Sequence, residues 1–166
     1  MATTYDLIAS QTLGSAAASI TFSSIAASWT DLRLVVTPLA TSIIMGCTLR
    51  FNSDSTNTYS NTLLIGNGSA ASSTKFSGTA IYLEDSGFTS SNNVFYIADI
   101  FSYAGSTYKT VLSSSSEDKN GSGEVIRGVQ MWRNTAAIAS ITIFNDAGVA
   151  TYAAGTTAQL YGIKAA

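Results

Sequence analysis

Histidine is absent from the chain, and with it go Ser-His-Asp and Cys-His nucleophilic sites and every imidazole metal ligand. The one cysteine, Cys47, allows no intrachain disulfide and no multi-cysteine zinc site; set in an apolar run beside Gly46, it reads as a buried, inert thiol. Charge is scarce too, at 11% of residues against roughly 25% in ordinary soluble domains. With a net charge of -2 and scattered Lys and Arg there is no basic face. The counterion-release term that drives nucleic-acid binding is therefore missing, and no nucleic-acid partner is expected. No apolar run approaches the ~18 residues of a membrane span, so no membrane partner is expected either. Met1 to Asp6 lack a positive segment leading into an apolar one. The expectation is a chain made in a cytoplasm and kept there, or assembled there into a particle released by lysis.

What the chain has in excess is Ser, Thr, Ala and Gly. Its surface must be built of hydroxyls, amides and methyls, with little electrostatic self-repulsion, which suits close packing of many copies. Its 166 residues show no shift in composition, so residues 1–166 read as one domain, long enough to bury a core.

The organising stretch runs from Leu49 to Gly68: an apolar strand, a polar loop of Asn, Ser, Asp and Thr, a second apolar run, and an Asn-Gly turn. Ser19 to Phe22 alternates as a half-buried strand does. A helix through Gly14 to Ala18 is rejected, because no 3.6-residue apolar stripe continues past Phe22. Leu32, Leu34 and Val36 share one face of a strand that Pro38 closes. Ile43 through Phe51 reads as one central strand covered on both faces, with a bulge or close approach at Gly46. Further strands are expected at Ala80–Leu83, Val94–Phe101, Tyr108–Leu112, Val125–Trp132, Ile138–Phe144 and Gln159–Ile163. Ser113 to Gly121 is expected as the most polar loop, with Asn120-Gly121 as a hairpin turn. About ten short strands without a helix predict an all-β, antiparallel β-sandwich, jelly-roll in topology.

The residue chemistry offers little for catalysis. Glu84, Asp85, Asp99, Glu117, Asp118 and Glu124 are available as carboxylates, but they sit mostly in turn-like sequence and nothing places two across a sugar cleft. No enzyme activity is expected. Asn52, Asp54 and Thr56 resemble a calcium loop only faintly: one carboxylate is poor provision for a cation wanting six to eight oxygens. An Asx-type loop is the better account, and no metal or cofactor is expected. Asn67-Gly68-Ser69 and Asn120-Gly121-Ser122 match the glycosylation pattern but read as turns. The residues assigned to partner contact are Asn52, Asp54, Asn57, Tyr59, Phe88 and Tyr103. Trp29, Phe51 and Trp132 are assigned to the core. Arg50 and Arg133 are left as either outward positions or buried partners of carboxylates.

The order Leu49-Arg50-Phe51-Asn52, Tyr59-Ser60-Asn61-Thr62 and Gly66-Asn67-Gly68 resembles small β-rich virion proteins of tailed bacteriophages, especially those of cyanobacteria and marine bacteria. Trp132 to Ile141 and Leu160-Tyr161-Gly162-Ile163-Lys164 carry the same resemblance through the C-terminal half. It implies a virion component with a β-sandwich fold. The function implied is that of a capsid decoration (cement) protein on the capsid exterior, a homotrimer binding the major capsid protein across capsomer junctions. The alternative it leaves is a glycan- or receptor-binding module of a tail fibre, using the loop aromatics and Asn52 to Asn57.

Overall fold

Alternation along the sequence sets most of this architecture. The computed structural model describes residues 4–41, 44–45, 47–84, 87–88, 93–118, 120–146 and 150–164. Among them lie fourteen strands and no helix: β1 (Tyr5–Thr12), β2 (Ser19–Phe22), β3 (Asp31–Thr37), β4 (Ile44–Met45), β5 (Cys47–Phe51), β6 (Tyr59–Gly66), β7 (Ala71–Gly78), β8 (Ile81–Tyr82), β9 (Gly87–Phe88), β10 (Asn93–Phe101), β11 (Lys109–Asp118), β12 (Gly123–Trp132), β13 (Ile141–Asn145) and β14 (Thr157–Ile163). In β3 the alternate residues Leu32, Leu34 and Val36 are buried, and the strand stops at Thr37, one residue before the proline that cannot donate to a ladder.

The strands form an eight-stranded sheet in the order β1-β14-β3-β10-β11-β12-β6-β7, a four-stranded sheet β2-β13-β5-β8, and a small β4-β9 pair. All named pairings are antiparallel. One hydrophobic cluster joins the inner faces: Ile20, Phe22, Leu49, Phe51, Ile141 and Ile143 from the small sheet meet Leu34, Tyr96, Ile100, Val111, Trp132 and Leu160 from the large one. The result is an all-β sandwich. Its strand order does not establish a jelly roll, which divides eight strands between two Greek keys; here β10, β11 and β12 run as a meander within a single large sheet.

Two strand expectations need correction. Ile43 to Phe51 is not one strand: β4 pairs with β9, while β5 pairs with β13 and β8. Gly46 and Ile43 lie outside the described residues. Ser113 to Ser116 is not loop but the middle of β11, with Glu117 and Asp118 at its end. Those serines alternate, and the inward ones are used. Ser115 Oγ donates to Leu83 O at 2.9 Å, and Ser113 Oγ accepts from Gln130 Nε2 at 2.8 Å. Gln130 Nε2 also reaches Tyr82 O, and the Asn61 amide bonds both Ala80 O and Tyr82 N. Short β8 thus crosses the large sheet's inner face with its backbone satisfied by side chains rather than by a full ladder. The sequence reading named no element at β7, a mostly Ser and Thr strand that ladder pairing with β6 holds at the sheet edge and whose Phe76 meets Tyr82 edge-on.

The hairpin expectation is borne out: Asn120 and Gly121 join β11 to β12 with φ of 56° and 104°. A tighter constraint sits at Gly162. A Cβ there would lie 2.1 Å from Trp29 Cδ2, because the half-buried indole rests on the β14 backbone. Gly162→Ala is expected to cost about 2 kcal/mol of stability through overpacking. In thermal unfolding this reads as a fall of roughly 4–8 °C; an unchanged midpoint would mean the indole swings aside freely.

Candidate interaction face

The polar loop after β5 turns out to be structural. Asn52 and Ser53 both take positive φ, and Asp54 N closes the turn on Phe51 O at 2.9 Å. The Asn52 amide is spent on the segment before β13: Nδ2 donates to Ala137 O, and Oδ1 accepts from Ala139 N and Ser140 N. The Asp54 carboxylate accepts from Thr56 N at 2.9 Å, Thr56 Oγ1 at 2.5 Å, Thr58 Oγ1 at 2.9 Å and Trp132 Nε1 at 2.8 Å. Burial works to raise its pKa, but these four hydrogen bonds outweigh it and hold the group well below the usual carboxylate range. Behind the loop, Trp132 stacks on Tyr59 and meets Phe51 edge-on, and Tyr59 Oη accepts from Phe51 N.

The assigned contact residues are therefore mostly withdrawn from partners. Tyr59 and Tyr103 are fully buried. Tyr103 Oη donates to Ala26 O and accepts from Trp29 N. Asn52 and Asp54 are half-buried and saturated by internal bonds. Asn57 is exposed, but its carbonyl accepts from Arg133 Nη2 at 2.8 Å. The side chain of Phe88 lies outside the described residues. Phe51 and Trp132 are core, as expected. Neither arginine left open by the sequence bonds a carboxylate in the contacts seen: Arg50 binds Thr79 and lies over the Phe144 ring, while exposed Arg133 binds Asn57 O.

A second polar group lies inside the sandwich. Tyr96 Oη donates to the buried Glu84 carboxylate, and Tyr152 Oη donates to Cys47 Sγ at 3.6 Å. Burial pushes the Cys47 thiol and both phenols up, seconded by the Glu84 charge at Cys47 and Tyr96 and by Cys47 at Tyr152, so all three stay protonated and unreactive. The expectation of a buried, inert cysteine is met. Asp99 is held by Arg33 in a two-pronged pair at 2.5 and 2.8 Å. Among the described residues no three metal-ligating side chains cluster.

The surface left for a partner is the outer face of the large sheet. Inward and outward residues alternate along its strands, yet the outward set is apolar as well: Leu64, Phe95, Leu112, Val125 and Val129 are each 43–55% exposed. Register brings them together, with Leu112 beside Val129, Arg127 between Ser114 and Leu64, and Val125 beside Ser116. Tyr5 and Leu7 extend the face along β1. Open recesses indent it. One of about 720 Å³ lies by Phe95, Val125 and Gly66, and one of about 290 Å³ by Leu64, Arg127 and Val129. Charge is sparse: Arg33 and Asp99 pair, Arg127 stands at the centre, Lys75 faces outward beside Thr62, and Glu117, Asp118 and Glu124 line the larger recess.

None of these apolar residues was assigned to a partner from the sequence. The signal was present in paired neighbours, Leu63-Leu64, Val94-Phe95, Val111-Leu112 and Val125-Ile126, where strict alternation would give one apolar and one polar residue. A sheet with one solvated face should not repeat such pairs on four of its strands. Exposed apolar patches of this kind are common where proteins meet other protein surfaces. Comparison with protein-family models, curated proteins and solved structures finds no match to this chain.

Proposed function

We propose that this protein is a bacteriophage capsid decoration protein, a homo-oligomer that binds the outer shell across capsomer junctions and stabilises it. The observation that carries this reading is the exposed apolar set on the outer face of the eight-stranded sheet, Leu64, Phe95, Leu112, Val125 and Val129. It fits burial in an assembly far better than retention of a small ligand. The resemblance in Leu49 to Gly68 and Trp132 to Ile141 supplies the virion context. The mechanism is a clamp. Several modest contacts per oligomer act together, because engagement of one raises the effective concentration of the rest, and rupture of the shell then requires breaking all of them. The tail-fibre reading loses ground because Tyr59 and Tyr103, two aromatics it relied on for stacking against sugars, are buried.

The test is to add purified protein to capsids assembled without it. Saturable binding at a copy number comparable with the major capsid protein is expected, together with an upward shift in the temperature at which shells rupture. Absence of binding, or a count of only a few copies per virion by quantitative mass spectrometry, would remove the protein from the shell.

A further inference from the structure

We propose that the carbonyl oxygens of Gly105, Thr107 and Thr135 form a monovalent-cation site, that the chain fills it with its own Lys109 ammonium, and that this caged ion fixes the two loops closing one end of the sandwich. Those loops are residues 102–108, between β10 and β11, and residues 133–140, between β12 and β13. The shell-binding reading uses none of these groups.

Strand register puts the lysine inside. Lys109 opens β11 opposite Trp132, with the same parity as Val111, Ser113 and Ser115, which point inward. Its side chain is fully buried, a place where lysine is almost never found without compensation. The common compensation is a carboxylate, and among the described residues none pairs with it. Instead Nζ donates to three backbone carbonyls: Gly105 O at 2.6 Å, Thr107 O at 2.5 Å and Thr135 O at 3.4 Å. An ammonium has three N–H donors and no acceptor, so donors and carbonyls match in number.

The loops need what the ion supplies. Residues 102–108 close a turn through Gly105 N on Ser102 O at 2.9 Å, and meet the neighbouring loop through Ile138 N on Tyr103 O at 2.8 Å. Gly105 O and Thr107 O take their donor from Lys109, and so does Thr135 O on the other loop. Three carbonyl dipoles converging on one buried point oppose each other unless a positive charge lies between them. Converging carbonyls are how a backbone holds a monovalent cation. A primary ammonium suits three of them because each accepts one directed N–H, whereas a bare alkali ion would lack ligands on its remaining sides.

Propylammonium is the fragment that Lys109→Ala removes, which makes it the probe. The variant is expected to unfold roughly 10 °C below the wild type, since it loses a buried charged donor and strands its acceptors. Propylammonium chloride should raise the variant's midpoint saturably and leave the wild type unmoved. Propanol fills the same space without the charge and should not raise it. Equal effects of propylammonium and propanol, or none from either, would show that the lysine stem and not its ammonium serves this end of the sandwich, and would overturn the proposal. If Lys109→Ala does not fold, the wild type decides. At neutral pH a solvated lysine ammonium exchanges its protons too fast to be seen in nitrogen-edited NMR, but the caged one should give a resonance that Lys109→Met lacks. Absence of that resonance, or a Lys109→Met variant as stable as the wild type, overturns the proposal. All of these measurements use free protein, so they can fail with capsid binding intact and succeed with it lost.

Discussion

Trp132→Ala is expected to remove about 4 kcal/mol of stability, within the range seen for truncating large buried aromatics. The side chain is fully buried and is the largest in the core. Its ring lies 6.3 Å from Tyr59, nearly parallel, and 5.6 Å from Phe51 at a steep angle, so it joins β12 and β6 of the large sheet to β5 of the small one. Its loss leaves a cavity at the point where the sheets meet and cuts the N–H bond to Asp54. Urea denaturation should show a sharply lowered midpoint with little change in slope, the sign of lost stability rather than a changed denatured state. A loss below about 1 kcal/mol would mean that the small sheet closes onto the vacancy, and that the aromatic trio is not the clamp between sheets.

Asp54→Ala should follow, at about 2 kcal/mol, because it removes a charged acceptor and strands the N–H of buried Trp132 and the hydroxyl of half-buried Thr58, while exposed Thr56 turns to water. The carboxylate's pKa is depressed on folding. Its contribution is thus present in full above the unfolded-state value near 4 and is lost as pH falls from there toward the folded value. Wild-type stability should decline through that acid window, and the Asp54→Ala variant should decline less. A double-mutant cycle with Trp132→Phe isolates the indole bond, for which a coupling of about 1 kcal/mol or more is expected. Parallel pH profiles for wild type and variant, or coupling indistinguishable from zero, would mean that Asp54 is merely solvated.

Both residues sit in or against the stretch around which the sequence was read, and their roles show how far that reading reached. The polar composition of Asn52 to Thr58 announced local side-chain to backbone bonding, and Asp54 with Thr56 does this. The same composition equally suited a ligand loop. What decided between them was Ala137 to Ser140, far along the chain, arriving within reach of the Asn52 amide, and Trp132 arriving over Asp54. Tyr59 and Tyr103 fail as contact residues for the same reason: a tyrosine near a loop is exposed or buried according to what folds over it. The serines of β11 hid their strand because local propensity reads Ser as turn. Neighbouring strands on both sides and the Leu83 carbonyl override that propensity.

The sequence by itself determined the fold class, the absence of imidazole chemistry and disulfides, the inert thiol, the low-charge surface, and most strand positions. These follow from composition and from the two-residue period of a strand, which are local properties. Only the tertiary structure decided which of two apolar faces would be covered. In β10, β11, β12 and β6 both parities carry apolar residues, so periodicity marks neither as inside. The four-stranded sheet lies against one face and leaves Leu64, Leu112 and Val129 on the other. That choice depends on long-range pairing of β2, β13, β5 and β8, which no local window of the chain contains.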